Sequence, residues 1–125
     1  MRIWSALAAD VCCVLAFAIV GRTSHGESSD LLGVLDTAWP FLAGYVVGLA
    51  LLRGWSRPLA RPVAVGVWLA TVVVGMLLRF LTGAGVALSF VVVTTVVLGL
   101  MLLGWRAVLS LVRRARSRAG HSAPA

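Results

Sequence analysis

Polar residues are scarce along this chain and fall in clumps, and the stretches between the clumps share a common length. Apolar runs cover roughly residues 3–21, 35–52, 63–81 and 86–109. Each is close to the ~20 residues that an α-helix needs to cross the hydrocarbon core of a bilayer. A segment in hydrocarbon must satisfy its own backbone, so all four runs are predicted to be helices. That includes Val91-Val-Val-Thr-Thr-Val-Val97. Its β-branched side chains favour a strand in water, but an isolated strand in lipid would leave its N–H and C=O groups without partners. The predicted fold is all-α: a four-transmembrane-helix bundle of two antiparallel hairpins over residues 1–112. A basic tail over 113–125 follows and is expected to be disordered.

The breaks between the runs carry turn and packing signals. Residues 22–34 form a polar first loop with Gly and Ser. Asp36-Thr-Ala-Trp-Pro-Phe41 is expected to open the second helix, with Asp36 or Thr37 as its cap. Pro40 then falls in a first turn, where its missing N–H is harmless. Trp39 falls at the membrane interface, where indoles are enriched. Thr82-Gly-Ala-Gly85 is a short, permissive turn that makes helices three and four a tight hairpin. Gly44 and Gly48 lie one turn apart, the small-residue spacing that lets helices approach closely within the protein. Thr71, Gly75 and Arg79 share one face of the third helix and are expected to point inward.

Composition settles the class. The chain of 125 residues is 61% hydrophobic and only 12% charged, too few polar residues to cover a soluble core of this size. The net charge of +7 comes from eleven Arg and no Lys. In a soluble protein such a balance would point to nucleic acid. Here the Arg residues flank apolar runs, so they read as topology signals and headgroup contacts, and no nucleic-acid partner is expected. The second loop holds Arg53, Arg57 and Arg61 without an acid, and the segment after helix four holds Arg113, Arg114, Arg116 and Arg118. The first loop holds Glu27 and Asp30 against Arg22. Both termini and the second loop are therefore expected in the cytoplasm, in a multi-pass protein of a bacterial inner membrane, with the basic tail against anionic lipid. A second copy or another membrane protein remains open as a partner.

Cys12 and Cys13 are adjacent in a helix, about 100° apart, and lack metal-ligand spacing. They are expected to be buried as small hydrophobes. Asp10-Val11 in front of them does not suit lipid attachment. Asp10 also breaks the apolar core that a cleaved signal would need, so the first span is expected to be retained.

Asp10 carries the sharpest chemical question, because an ionisable residue inside a span is costly and needs a partner or a cavity. It lies roughly 16 Å below the outer end of helix one. Arg106 lies at a similar depth near the inner end of helix four, and the two are the candidate structural ion pair. A protonatable or cation-binding Asp10 is the functional alternative. At the outer end Arg22, His25, Asp36, Trp39 and Arg79 should share one depth. These residues, with Asp10, are the candidates for binding a ligand or ion, and His25 titrates near neutral pH. No nucleophile–base pair, carboxylate pair or His pair for haem is present. No catalytic residue, metal or cofactor is therefore expected, and the chain is not expected to be an enzyme. The expected role is to bind a small polar or anionic ligand, or to move a proton or ion. The competing reading is a non-catalytic assembly or accessory subunit.

Asp10, Gly21-Arg-Thr-Ser-His25, Thr37-Ala-Trp-Pro-Phe41, Thr71-Val-Val-Val-Gly-Met-Leu-Leu-Arg79, Ser89-Phe90 and Gly104-Trp-Arg106 together resemble a family of small bacterial membrane proteins. It is the domain of unknown function family 3054, typical of actinobacteria. The resemblance runs from residue 10 to 106 and implies four membrane helices, with no activity attached. Small multidrug-resistance transporters and fluoride channels are similar in size alone. The helix-one carboxylate of the transporters is a Glu in another context. The polar Asn residues of the channels have no counterpart in a chain without Asn.

Overall fold

The computed structural model describes residues 3–24, 26, 30–54, 56–57 and 59–122. Among the described residues there are four helices and no strand: α1 (Ile3–Ser24), α2 (Leu31–Leu52), α3 (Arg61–Leu81) and α4 (Leu88–Ser122). All four are long and apolar enough to cross a membrane, as an all-α multi-pass protein requires. They close into a ring in which α1 and α3 each pack on α2 and α4, and among the described residues neither diagonal pair makes a close backbone approach.

The tightest seam is α2 against α3, and glycine makes it possible. A Cβ on Gly44 would stand 2.9 Å from the carbonyl oxygen of Thr71 and 3.0 Å from that of Ala70. One on Gly48 would stand 2.9 Å from the Ala70 methyl. Any side chain at either position would push the helices apart.

The bundle axis is filled by rings. Phe41 is fully buried and meets Phe17 edge-on at 5.4 Å between centroids. It also lies 6.4 Å from Phe90, and its ring occupies the space left by the missing side chain of Gly75. One residue of α2 thus touches α1, α3 and α4. Val14, Ala18, Leu98 and Leu102 complete this core, and a smaller cluster of Tyr45, Val63 and Val67 sits at the Leu52 end of α2. Trp4, Leu51, Val73 and Leu100 point outward, as suits side chains facing lipid.

Several boundaries differ from the expectation, each for a physical reason. α2 begins at Leu31, because Val34 continues the buried stripe of Ala38 and Phe41 at helical spacing. Asp36 and Thr37 therefore lie inside the helix rather than capping it. Asp30 occupies the cap position, with no side-chain cap bond. Pro40 likewise is not in a first turn; it is buried inside α2, where it leaves the Asp36 carbonyl without its usual helical donor. α4 does not stop near residue 109. Arg and Ala are strong helix formers, and the helix continues through the Arg-rich run to Ser122. At 35 residues it measures about 52 Å, longer than a bilayer core of ~30 Å. Of the two cysteines, Cys12 is exposed on the outer face of α1 rather than buried. Cys13 is half-buried, with its Sγ 3.7 Å from the Met101 carbonyl oxygen.

Candidate functional site

Two polar centres lie toward opposite ends of the bundle, separated by the aromatic core. The first surrounds Asp10. Consecutive helices run antiparallel, so the first half of α1 meets the second halves of α2 and α4 at one level. Arg106 Nη1 donates to Asp10 Oδ1 and Arg106 Nη2 to Asp10 Oδ2, both at 2.7 Å. Tyr45 Oη donates to Oδ2 at 2.6 Å, and Trp105 Nε1 donates to Oδ1 at 2.8 Å. Arg106 Nη1 also donates to the Leu102 carbonyl at 2.8 Å, and the guanidinium lies over the Trp105 ring at 4.5 Å. Asp10 and Arg106 are 1% and 4% exposed, which makes this a fully desolvated pair.

Burying two charges is costly unless the pairing is bidentate and the remaining lone pairs are occupied. Both conditions hold. An ionised carboxylate offers about four acceptor positions, and here each oxygen accepts from the guanidinium and from one neutral donor. A cation could reach Asp10 only by displacing these bonds. Tyr45 and Trp105 escape a reading of the sequence, although each left a trace. Tyr45 is the chain's single tyrosine and sits in an apolar run, where a buried phenol needs a partner. Trp105 is adjacent to Arg106, but a Trp near a helix end reads first as a membrane-interface anchor.

The second centre is a cavity of about 290 Å³ at the other end of the bundle. Arg22 of α1, Thr37 of α2 and Arg79 of α3 line it, with Phe17 and Phe90 as apolar walls. Arg22 Nη1 donates to Thr37 Oγ1 at 3.1 Å. Arg22 Nη2 and Asp30 Oδ1 both crowd Gly33, where a Cβ would stand 2.6 Å and 2.7 Å from them. Arg79 is held by the turn that follows its helix: Nε donates to the Gly85 carbonyl at 3.2 Å and Nη2 to the Ala84 carbonyl at 3.1 Å. That turn folds back because Gly83 and Gly85 adopt φ of +76° and +89°, a region that favours glycine. The Arg79 guanidinium also lies over the Phe90 ring at 4.4 Å.

Of the outer candidates, the structure therefore brings Arg22 and Arg79 together on one cavity and adds Thr37. Asp36 and Trp39 are exposed on α2 and do not line it. His25 lies outside the described residues. Between the two centres stand Phe17, Phe41, Phe90 and Leu98, together with the fully buried Thr94, whose Oγ1 makes no hydrogen bond. Among the described residues no group of three or more His, Cys, Asp or Glu is placed to hold a metal ion.

Neither a curated protein nor a solved structure matches the chain. The model of one family, described as Protein of unknown function (DUF3054), matches residues 7–109, a span that holds Asp10, Tyr45 and Arg106 of the buried cluster and Arg22 and Arg79 of the cavity. The chain, a four-helix multi-pass membrane protein, belongs to this family.

Proposed function

We propose that this protein binds a small oxyanion in the cavity between Arg22 and Arg79, and that the Asp10–Arg106 cluster is the clamp that keeps the bundle closed beneath it. The observation that carries this reading is the lining of the cavity. Two guanidiniums from different helices and one hydroxyl share it, and among the described residues no acid lines it. Guanidinium groups recognise oxyanions through paired, charge-assisted hydrogen bonds. Apolar walls such as Phe17 and Phe90 strengthen such bonds by excluding water. Binding is favoured over conduction, because the Phe17–Phe41–Phe90 contacts close the axis between the cavity and Asp10.

The proposal places the protein in a bacterial inner membrane. The Arg bias puts both termini in the cytoplasm and the cavity on the outer side. The proposed role is non-catalytic, and among the described residues no nucleophile–base pair lines the cavity.

Isothermal titration of the purified protein in neutral detergent tests it, with sodium sulfate, phosphate, nitrate and acetate as probes. At least one anion should bind saturably. Arg79→Gln should weaken that anion by about tenfold or more, the usual worth of a hydrogen bond to a charged group. A folded protein that binds none of these anions, or binds them equally well as Arg79→Gln and Arg22→Gln, would overturn the proposal. The accessory-subunit reading would then stand, with co-purifying membrane proteins as its test.

A further inference from the structure

We propose that the outward face of the α3–α4 hairpin holds one anionic phospholipid, with its phosphate at Arg61 and Arg114 and an acyl chain along α4. Two hollows on this face carry the inference. One, of about 420 Å³, lies where α3 begins and is lined by Arg61, Ser110 and Arg114, with Leu59 and Leu111 beside them. The other, of about 490 Å³, is almost wholly apolar and is lined by Trp68, Gly99, Leu100 and Gly104. Leu103 and Ala107 line both, so the two hollows form one continuous groove.

The groove changes character along its length in the order that a phospholipid does. From Arg114 to Gly99 it follows α4 for about 22 Å, enough for a headgroup and much of an acyl chain. Gly104 keeps the apolar part open, since a Cβ there would meet nothing within 4 Å. Gly99 lies against the Trp68 indole, whose Nε1 donates to the Thr95 carbonyl at 3.0 Å. The polar edge of the indole is thereby engaged and its ring left to the groove. At the basic end Arg106 already serves Asp10, while Arg61 and Arg114 are exposed and no acid among the described residues lines the hollow.

The occupant follows from this combination. A free phosphate would leave the apolar part unfilled. A second copy packed through this face around a two-fold axis along the membrane normal would bring like-charged basic ends together at one depth. An anionic lipid satisfies both halves, and each Arg near a negatively charged headgroup is worth about fivefold in preference.

Native mass spectrometry of the delipidated protein in an equimolar mixture of phosphatidylglycerol and phosphatidylcholine tests the site. The unmodified protein should retain one phosphatidylglycerol with a preference of about 25-fold, the product of two such Arg contributions. Arg61→Gln/Arg114→Gln should bring the preference close to one. Arg113→Gln/Arg116→Gln, which alters the same helix outside the groove, should leave it intact. Gly104→Leu should abolish retention by filling the furrow. Three results would overturn the proposal: equal retention of both lipids, equal losses from the two double variants, or a Gly104→Leu protein that changes from dimer to monomer while keeping its lipid.

Discussion

Arg106→Gln removes both guanidinium bonds to Asp10 and leaves the carboxylate buried with only Tyr45 and Trp105 as donors. Breaking a buried ion pair from one side costs about 3–5 kcal/mol, most of it the penalty of the charge left behind. Asp10→Asn should fall in the same range for the complementary reason. Both carboxylate oxygens accept from two donors, so the amide nitrogen must face donors whichever way it turns, and the Arg106 guanidinium loses its counter-charge. The double variant Asp10→Asn/Arg106→Gln leaves no buried charge. It should be less destabilised than the sum of the single variants by about 2–3 kcal/mol, the coupling expected within one network. The assay is unfolding in mixed micelles, with dodecyl sulfate raised against a neutral detergent and followed by far-UV circular dichroism. Additivity within about 0.5 kcal/mol would show the two residues to be energetically independent and would remove the clamp from the account. Single variants as stable as the parent would do the same.

The remaining expectations concern neighbouring parts of the bundle. Tyr45→Phe keeps the ring but deletes one bond to Asp10, and in the same unfolding assay should cost about 1.5 kcal/mol. Gly44→Ala should cost about 1–3 kcal/mol, because its Cβ meets α3 backbone that cannot yield. Gly104→Ala, with open space around it, should stabilise α4 by up to about 1 kcal/mol. Gly85→Val strains the turn that holds Arg79, so it should weaken anion binding and lower the dodecyl sulfate midpoint by the equivalent of about 1–3 kcal/mol. Alkaline phosphatase fused after Gly26 or Gly83 should be active and after Ser56 inactive; the reverse pattern would invert the proposed orientation.

Depth in the membrane is legible in this sequence. The thickness of hydrocarbon and the need for each span to satisfy its own backbone act locally, so four runs of about twenty apolar residues suffice to mark the helices. Counting along antiparallel helices then sets Asp10 level with Arg106, and Arg22 level with Arg79. The limits of α2 were harder to read, because Leu31-Leu-Gly-Val-Leu35 reads equally as the end of a loop or the start of a helix, and the buried stripe through Val34 decides it. The extent of α4 is not legible for a similar reason, since a charged run of Arg and Ala serves a helix beyond the bilayer as well as it serves a tail.

Rotation about each helix axis was settled only by tertiary packing. A soluble helix reveals its buried face by contrast with its polar one, but lipid is as apolar as a leucine core, so inward and outward faces here look alike. Asp36 and Thr37 are neighbours about 100° apart on α2, and only the packed bundle shows that Thr37 meets Arg22 while Asp36 points away. The same rotation turns Tyr45 onto Asp10, beneath a Phe41 ring that fits only because Gly75 faces it. The sequence by itself determined how many helices there are and which polar groups share a level. The packing of four apolar cylinders decided which of those groups meet.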